Sequence, residues 1–337
     1  MNHIIEQTWK RLAAVTVCLI ACRGVALSQT PVILEIEADN CVQYLQDVSD
    51  WSKFASDSAM TTISGAKSFQ SIVNLGDIVA VNGRPAKGTL VSRIQVIFLT
   101  TTAAPGQAIS DVVRGGASNS SFEILQPDGT PVGTIMAQTI LQGAAPPGSP
   151  AALTSQNGVI VGGTGSFLGV RGQAGLGAII KAPRNASFTE DPANRRIYGG
   201  GKMRFVMQMI PMFRPEIAST SGGPAIVHSK DFSLVTTANP AKPGEVLSLF
   251  ANGLGSTAPS VEPGKPFPSA PLALVNSPVE LTVNGAPAEV IGSAGLPGSV
   301  DAYQVNFRVP PGTASGTASV QLNVAWIPSS TVSIAIQ

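Results

Sequence analysis

The stretch "GGTGSFLGVRG", residues 162–172, follows the apolar run Val159-Ile160-Val161 and first suggests a strand leading into a phosphate-binding loop. A dinucleotide fingerprint is Gly-x-Gly-x-x-Gly, whereas Gly163, Gly165 and Gly169 are spaced one residue too far apart. Three further glycines follow within residues 170–180, and each would cost a helix about 1 kcal/mol relative to Ala. Because no helix is expected to begin here and no Lys-Ser/Thr pair follows, the sequence argues against nucleotide binding.

The composition favours short strands joined by turns. The chain has 337 residues, with 35 Gly and 26 Pro, and 44% of it is hydrophobic, which is enough for a substantial core. Gly and Pro at this density shorten helices and punctuate strands. The formal net charge is +1 and no basic stripe is present, so we expect no nucleic-acid partner.

Strand patterns dominate residues 69–210. The segments "TLVSRIQVIFL" (89–99) and "KMRFVMQMIPMF" (202–213) alternate in the manner of strands, and Asn82-Gly83 and Asp128-Gly129 have the chemistry of tight hairpin turns. Before this region, residues 32–36 read as a strand. Residues 39–57 carry apolar side chains at Val42, Leu45 and Val48, a spacing that predicts one or two helical turns.

A composition change predicts two domains. Residues 211–230 lose the alternation and gain Pro, Ser and Gly, which predicts a linker. Residues 231–337 then show about seven short strands separated by Pro/Gly turns, the pattern of an immunoglobulin-like sandwich.

Two family resemblances make the fold prediction for each domain more specific. "VIVGGTGSFLGVRGQA" resembles the glycine signature of dirigent proteins and the related allene oxide cyclase barrels; the matching residues are Gly162, Gly163, Thr164, Gly165, Phe167, Arg171 and Gly172. The resemblance covers roughly residues 69–210 and implies an eight-stranded antiparallel barrel around an apolar cavity, with the glycines forming a corner between strands. The segments "PGEVLSLFANGLG" and "VPPGTASGTASVQLNV" resemble IPT/TIG-type modules, which serve as spacers or adhesive scaffolds in secreted bacterial proteins.

The resulting fold prediction is all-β: an eight-stranded antiparallel barrel in residues 29–210, a linker at 211–230, and an immunoglobulin-like sandwich in 231–337. The first 28 residues read as a signal peptide, because Lys10-Arg11 precedes a short apolar run, residues 12–21, and a small-residue cleavage site follows. We therefore expect a secreted or periplasmic protein. The alternative is a lipid anchor at Cys22, since residues 19–22 resemble a lipobox.

One strand carries the candidate binding residues. Met203, Phe205, Met207 and Met209 share one face, and Met adapts to irregular apolar shapes. The stripe predicts either the wall of a ligand cavity for a lipid-like or phenolic molecule, or ordinary core packing.

The candidate catalytic residues are less well supported than the candidate binding residues. Asp111, Glu123 and Arg171 are the charged residues considered for catalysis, with Arg171 taken from the family signature; Glu123 is expected either outside the barrel or as a lone cavity carboxylate. His228, within the predicted linker, is a poor candidate base, and the residues offer no metal site and imply no cofactor. By resemblance, an enzyme of this kind would be an isomerase or cyclase that acts by orienting its substrate and excluding water.

Two function classes remain open at this stage. In the first, the barrel binds an apolar small molecule, and orients it for cyclisation or coupling if the protein is an enzyme. In the second, the protein is a non-catalytic structural or adhesive component of the cell envelope, its barrel is filled by side chains, and the C-terminal module contacts a surface partner.

Overall fold

The computed structural model describes residues 30–47, 68–98, 105–106, 114–141, 157–187 and 189–337. Residues 32–337 form one compact unit, which contains both β-sheets discussed below. The described residues are almost entirely strands and turns, which confirms the all-β prediction.

The first sheet is a closed antiparallel barrel with two short additions. Its strands are β1 (Val32–Asp47), β2 (Ser68–Val81), β3 (Arg84–Pro85), β4 (Lys87–Phe98), β5 (Arg114–Leu125), β6 (Pro131–Leu141), β7 (Asn157–Gly163), β8 (Arg171–Lys181), β9 (Arg184–Ala186) and β10 (Gly201–Ile210). Eight of them close in the order β2-β4-β5-β6-β7-β8-β10-β1, because β1 also pairs with β2. β3 extends β2, and β9 runs parallel to β1. The short helix α1 (Arg195–Tyr198) lies between β9 and β10.

The second sheet follows without a free linker. Its strands and those of a small hairpin are β11 (Glu216–Ile217), β12 (Ser219–Thr220), β13 (Gly223–Pro224), β14 (Ile226–His228), β15 (Val246–Asn252), β16 (Thr257–Ala258), β17 (Leu274–Val275), β18 (Val279–Val283), β19 (Ala286–Gly295), β20 (Ala302–Arg308), β21 (Gly316–Val324), β22 (Ile327–Pro328) and β23 (Val332–Ile336). The main path is β11-β15-β20-β19-β18-β21-β22, and this curled sheet encloses its own apolar core. The prediction of a linker at 211–230 is wrong for residues 216–228, because β11 and β14 both pair with β15.

The helical prediction for residues 39–47 is also wrong, since β1 continues through them. β1 is paired on one edge with β2 and on the other with β10, and these ladders outweigh local spacing. A β-bulge interrupts both ladders, with Asn40 at a φ of 52°. The bulge keeps Ala38 and Cys41, which are three residues apart, in the same core. The remainder of the predicted segment, residues 48–57, lies outside the described residues.

The glycine segment is a barrel corner, as predicted. A 3₁₀ turn (Gly165–Phe167) joins β7 to β8, and Phe167 is buried in the barrel core. A Cβ on Gly163 would lie 2.4 Å from the Phe167 carbonyl oxygen, and one on Gly172 would lie 2.0 Å from that of Gln208. A Cβ on Gly162 meets no backbone atom within 4 Å, so this member of the motif is not required for steric reasons. β8 follows the corner directly, which leaves no helix N-terminus for a phosphate.

The barrel has two different ends. We call the end formed by the 128–129 turn and the glycine corner the base, and the end where β1, β4, β6 and β8 finish the mouth. The base contacts the second sheet: Gln126 Nε2 donates a hydrogen bond to the carbonyl oxygen of Asn276 at 2.6 Å, and the hydroxyl groups of Ser166 and Ser277 are hydrogen-bonded.

The tip of the β21–β22 hairpin is part of the barrel core. Ala325 is fully buried there, and Trp326 packs against the same apolar cluster. Both residues have positive φ values, 50° and 63°, which non-glycine residues adopt at a cost of about 1–2 kcal/mol. Trp326 belongs to the second sheet but packs against the barrel, which is one reason that the two sheets form a single unit.

Removing the Trp326 side chain tests this junction. We expect Trp326→Ala to lower the free energy of unfolding by about 2–3 kcal/mol, because it leaves a cavity at the base of the barrel. Phe232→Ala is the matched control, since Phe232 also has a positive φ, 57°, but is 60% exposed. Denaturant unfolding followed by circular dichroism should show one transition that shifts with Trp326→Ala only. Two separate transitions in the unmodified protein would contradict the shared core.

Replacing Gly165 tests the corner. Its φ is 59°, and a Cβ at this position would lie 2.4 Å from the carbonyl oxygen of Val132. We therefore expect Gly165→Val to destabilise the protein by about 1–3 kcal/mol, measured by denaturant unfolding. Gly129→Val is a milder comparison, because Gly129 also has a positive φ but nothing lies within 4 Å of its Cβ position. Equal losses for the two variants would show that only backbone strain matters at the corner.

Candidate functional site

The four predicted wall residues all face the lumen of the barrel, at different depths. β10 begins at the mouth and ends at the base, so Met203 and Phe205 lie nearer the mouth than Met207 and Met209. Met207 and Met209 are fully buried in the core, whereas Met203 and Phe205 are partly exposed. The stripe is therefore ordinary packing at its deep end and an accessible wall at its shallow end.

An aromatic contact separates these two regions. Phe122 of β5 and Phe205 of β10 come from opposite sides of the barrel, and their rings meet edge to face with centroids 5.1 Å apart. Below this contact the lumen is filled by large side chains, namely Leu34, Ile36, Ile124, Ile135, Ile160, Phe167, Met207 and Met209, none more than 2% exposed. The Phe122–Phe205 pair is thus the floor of the part of the lumen on the mouth side.

A row of uncharged polar residues lies directly above the floor. Strand register places Gln43, Asn74, Ser92 and Ser120 side by side on β1, β2, β4 and β5, in phase with core residues such as Leu90 and Phe122. We call these four residues the polar belt. Gln43, Asn74 and Ser120 are partly exposed although they face inward, whereas Ser92 is buried.

The polar belt is only partly satisfied by hydrogen bonds. The Ser120 hydroxyl donates to the Ser92 hydroxyl at 2.9 Å. The Oδ1 atom of Asn74 is buried and has no hydrogen-bond partner. An unsatisfied polar group of this kind costs about 1–3 kcal/mol, so the belt has an open acceptor.

Three small residues lie on the strands across the barrel from the belt, and one of them, Ala174, pairs with Met207 of the packed base. Ala137, Gly158 and Ala174 lie on β6, β7 and β8, and all three are buried. A side chain on Gly158 would collide with the Thr139 hydroxyl and the Gln138 backbone.

Next to the belt, Cys41 is a free thiol whose pKa is raised to about 11 by burial and by the negative charges of Asp39 and Asp77. It is therefore protonated at neutral pH and is not an activated nucleophile.

The catalytic candidates do not meet in the lumen. Glu123 is exposed on the outer face of β5. Of the two positions expected for it, it therefore takes the one outside the barrel and is not a carboxylate in the cavity. Arg171 is also exposed and donates through Nη1 to the carbonyl oxygens of Val161 (2.6 Å) and Val170 (3.0 Å), so it supports the glycine corner from outside. Asp111 lies outside the described residues.

The most strongly bonded charged cluster is structural and lies outside the barrel wall. Asp77 of β2 accepts hydrogen bonds from Arg195 Nη2 at 2.5 Å, from Arg196 Nη2 at 2.8 Å and from Asn40 Nδ2 at 3.0 Å. Asp77 and Arg195 are buried. We call this cluster the latch, because it holds α1 against β1 and β2. Burial alone would raise the pKa of Asp77, but the hydrogen bonds from Arg196, Asn40 and Arg195 bring it below the ordinary value.

His228 is likewise structural. It is 2% exposed on β14, and its Nδ1 lies 2.7 Å from Glu245 Oε1 while its Nε2 lies 3.2 Å from the Asn239 carbonyl oxygen. Burial opposes ionisation of Glu245, but its hydrogen bond with His228 lowers its pKa overall. The expected linker histidine is therefore a fixed member of the second sheet.

A second cleft lies at the junction of the two sheets and has a volume of about 440 Å³. Its floor includes Leu254 and Tyr303, and exposed Leu168, Phe213 and Val300 line its sides. Tyr303 donates a hydrogen bond to the Gly255 carbonyl oxygen at 2.7 Å. Burial, and to a smaller extent the negative charge of the neighbouring Asp301, raises the pKa of Tyr303 to about 12. The sequence predicted none of this cleft, because its lining comes from segments distant in the chain.

Two kinds of feature are absent from the described part of the chain. No cluster of three or more metal-ligating side chains occurs among those residues. Within the same residues, no helix has the length and apolar character needed to cross a membrane.

Comparisons with known proteins leave the family open. No family model matches the chain, and no curated protein matches it. Among solved structures, the N-terminal domain of the Streptococcus gordonii adhesin Sgo0707 aligns over 92% of this chain and 93% of its own, with 11% identity and a TM-score of 0.18. A score this low carries no structural argument.

The latch predicts a pH-dependent contribution to stability. Asp77→Asn removes the charge that both arginines contact, and breaking a buried pair of this kind costs about 3 kcal/mol. Because the folded pKa of Asp77 is lowered, the difference between the unmodified protein and the variant should be full above the unfolded value, about 3.9, and should shrink as the pH falls through the lowered folded value. Urea unfolding of both proteins between pH 7 and pH 2.5 measures this difference.

The exposed Arg308–Glu289 pair provides the control for that measurement, since both side chains are largely in solvent. Glu289→Gln should change stability by less than about 1 kcal/mol across the series. A difference for Asp77→Asn that stays constant with pH would contradict the role assigned to its charge.

Proposed function

We propose that the protein binds an apolar small molecule in the mouth-side half of the barrel lumen. The observation that carries this proposal is the change in burial above the Phe122–Phe205 floor, where inward-facing residues become partly exposed. Barrel mouths are a preferred place for ligand sites, because a ligand can be desolvated there without opening the fold. Met203 and Phe205 supply an apolar wall that can adapt its shape.

Binding is a better supported function than acid–base catalysis. The belt residues are uncharged, and Glu123 and Arg171 lie on the outer surface. If the dirigent resemblance extends to activity, the same compartment would orient a substrate for cyclisation or coupling. That activity requires positioning and exclusion of water, without a nucleophile or cofactor.

The cellular setting belongs to the proposal as well. The charged segment and short apolar run at the N-terminus support export to the periplasm or beyond, with a lipid anchor at Cys22 as the alternative. An exported protein would meet apolar molecules at the cell envelope. The IPT/TIG resemblance of residues 231–337 would then assign a scaffold or spacer role to the second sheet.

The alternative is a structural or adhesive envelope protein. Its support is the filled base of the barrel, together with the junction cleft and its exposed apolar side chains. In that case the junction cleft, rather than the lumen, would be where a surface partner binds.

The binding proposal predicts a defined response to substitution. We expect at least one member of a panel of fatty acids, fatty alcohols, oxylipins and phenolics to raise the melting temperature of the full chain. Met203→Asp should weaken that binding more than tenfold, because desolvating an unpaired carboxylate costs several kcal/mol. Gln208→Asp is the matched control, since Gln208 lies on the outer face of the same strand. If no panel member stabilises the protein, or if both variants bind as the unmodified protein does, the lumen is not the site.

A further inference from the structure

We propose that the ligand of the lumen is an amphipathic molecule with a neutral hydroxyl or amide group, which enters polar end first and donates a hydrogen bond to the polar belt. This inference rests on the proposed function and specifies its ligand. Three features carry it: the depth of the belt, its lack of charge, and its unsatisfied acceptor.

The depth of the belt determines the orientation. Asn74, Ser92 and Ser120 lie one level above the Phe122–Phe205 floor. Met203 is two residues from Phe205 on β10 and so lies at the level of the belt. One level closer to the mouth, Ile72 and Ile94 face inward on β2 and β4, beside the buried Ser118 of β5. A polar group at the belt therefore places the apolar body of the ligand against Ile72 and Ile94, with its far end towards the mouth.

The lack of charge determines the class of polar group. None of the belt residues is ionisable, and the charged residues of the neighbouring strands are on the outer face, as Arg93 and Glu123 illustrate. An ionised carboxylate brought to this depth would be desolvated without a counter-charge, which is unfavourable. A neutral hydroxyl or amide loses far less on leaving water and can be satisfied by the belt.

The open acceptor determines the direction of the hydrogen bond. Asn74 Oδ1 has no donor, and its amide can turn about a broad terminal torsion to face the lumen. Ser120 already donates to Ser92, so the Ser92 hydroxyl hydrogen is free to donate in turn. A ligand O–H or N–H would satisfy Asn74, and the ligand oxygen could accept from Ser92.

The test uses three probes with the same apolar chain: decanol, decyl methyl ether and decanoate. Dissociation constants are measured at pH 7.5 for the full chain, by displacement of a fluorescent apolar dye. Decanol should bind about tenfold more tightly than the ether, which cannot donate to Asn74. Decanoate should bind more weakly than decanol.

Asn74→Leu separates recognition from structure. Replacing an unsatisfied buried polar group by an apolar one of similar size is neutral or stabilising, so the melting temperature should stay or rise. The preference for decanol over the ether should be lost in the same variant. A merely structural Asn74 would give the opposite result, a lower melting temperature and an unchanged preference.

Two adjacent serines provide the matched pair. Ser120 faces the lumen, and Ser121 is exposed on the outer face of the same strand. Ser120→Ala should weaken decanol binding severalfold, while Ser121→Ala should leave it unchanged. Equal binding of decanol and the ether, or tightest binding of decanoate, would overturn the inference while leaving lumen binding intact. If none of the probes nor the dye binds, the proposed function fails as well.

Discussion

The packing of the β21–β22 turn into the base of the barrel is the constraint on which the rest of the structure depends. A closed barrel removes its sheet edges but must still fill its two ends. Here Ala325 and Trp326 fill the base from another sheet, at backbone angles that neither residue favours. Two-residue hairpin turns normally place Gly or Asn at such positions, so the burial of these side chains offsets the strain of the turn. The second sheet is thereby part of the barrel's core rather than an appended module.

Closure of the base makes the two ends of the lumen chemically different. Below the Phe122–Phe205 contact the interior is packed with large aliphatic side chains, and a ligand could enter there only by disrupting the core. Above it, the polar belt lies among the apolar residues Met203, Ile72 and Ile94. The predicted stripe from Met203 to Met209 crosses this division: Met207 and Met209 are ordinary core packing, whereas the ligand-wall interpretation of Met203 and Phe205 stays a prediction.

The local sequence pattern was sufficient to predict those strands and turns that pair with the next element along the chain. The Asn82-Gly83 and Asp128-Gly129 turns and the alternating strands around them were predictable, because hairpins depend on turn chemistry and a period of two. The glycine corner was predicted from the resemblance of residues 162–172 to the dirigent glycine signature and not from turn chemistry. The continuation of β1 was not predictable, because it depends on pairing with β10 and β2, and the pairing with β10 is a non-local interaction. The strands within 211–230 were missed because their stability comes from pairing with β15, which is a non-local interaction.

The polar belt was missed although the sequence carries a signal for it. Asn74, Ser92 and Ser120 are polar residues in phase with core positions on three consecutive strands of the barrel, where alternation alone predicts apolar side chains. A single such residue is uninformative, because a buried serine can be satisfied by its own strand. Only strand register reveals that four of them form one continuous row around the lumen. A barrel that served only as a packed scaffold would gain stability from apolar residues at this level. This polar row, with its open acceptor at Asn74, is the feature from which we propose a hydrogen-bonding ligand.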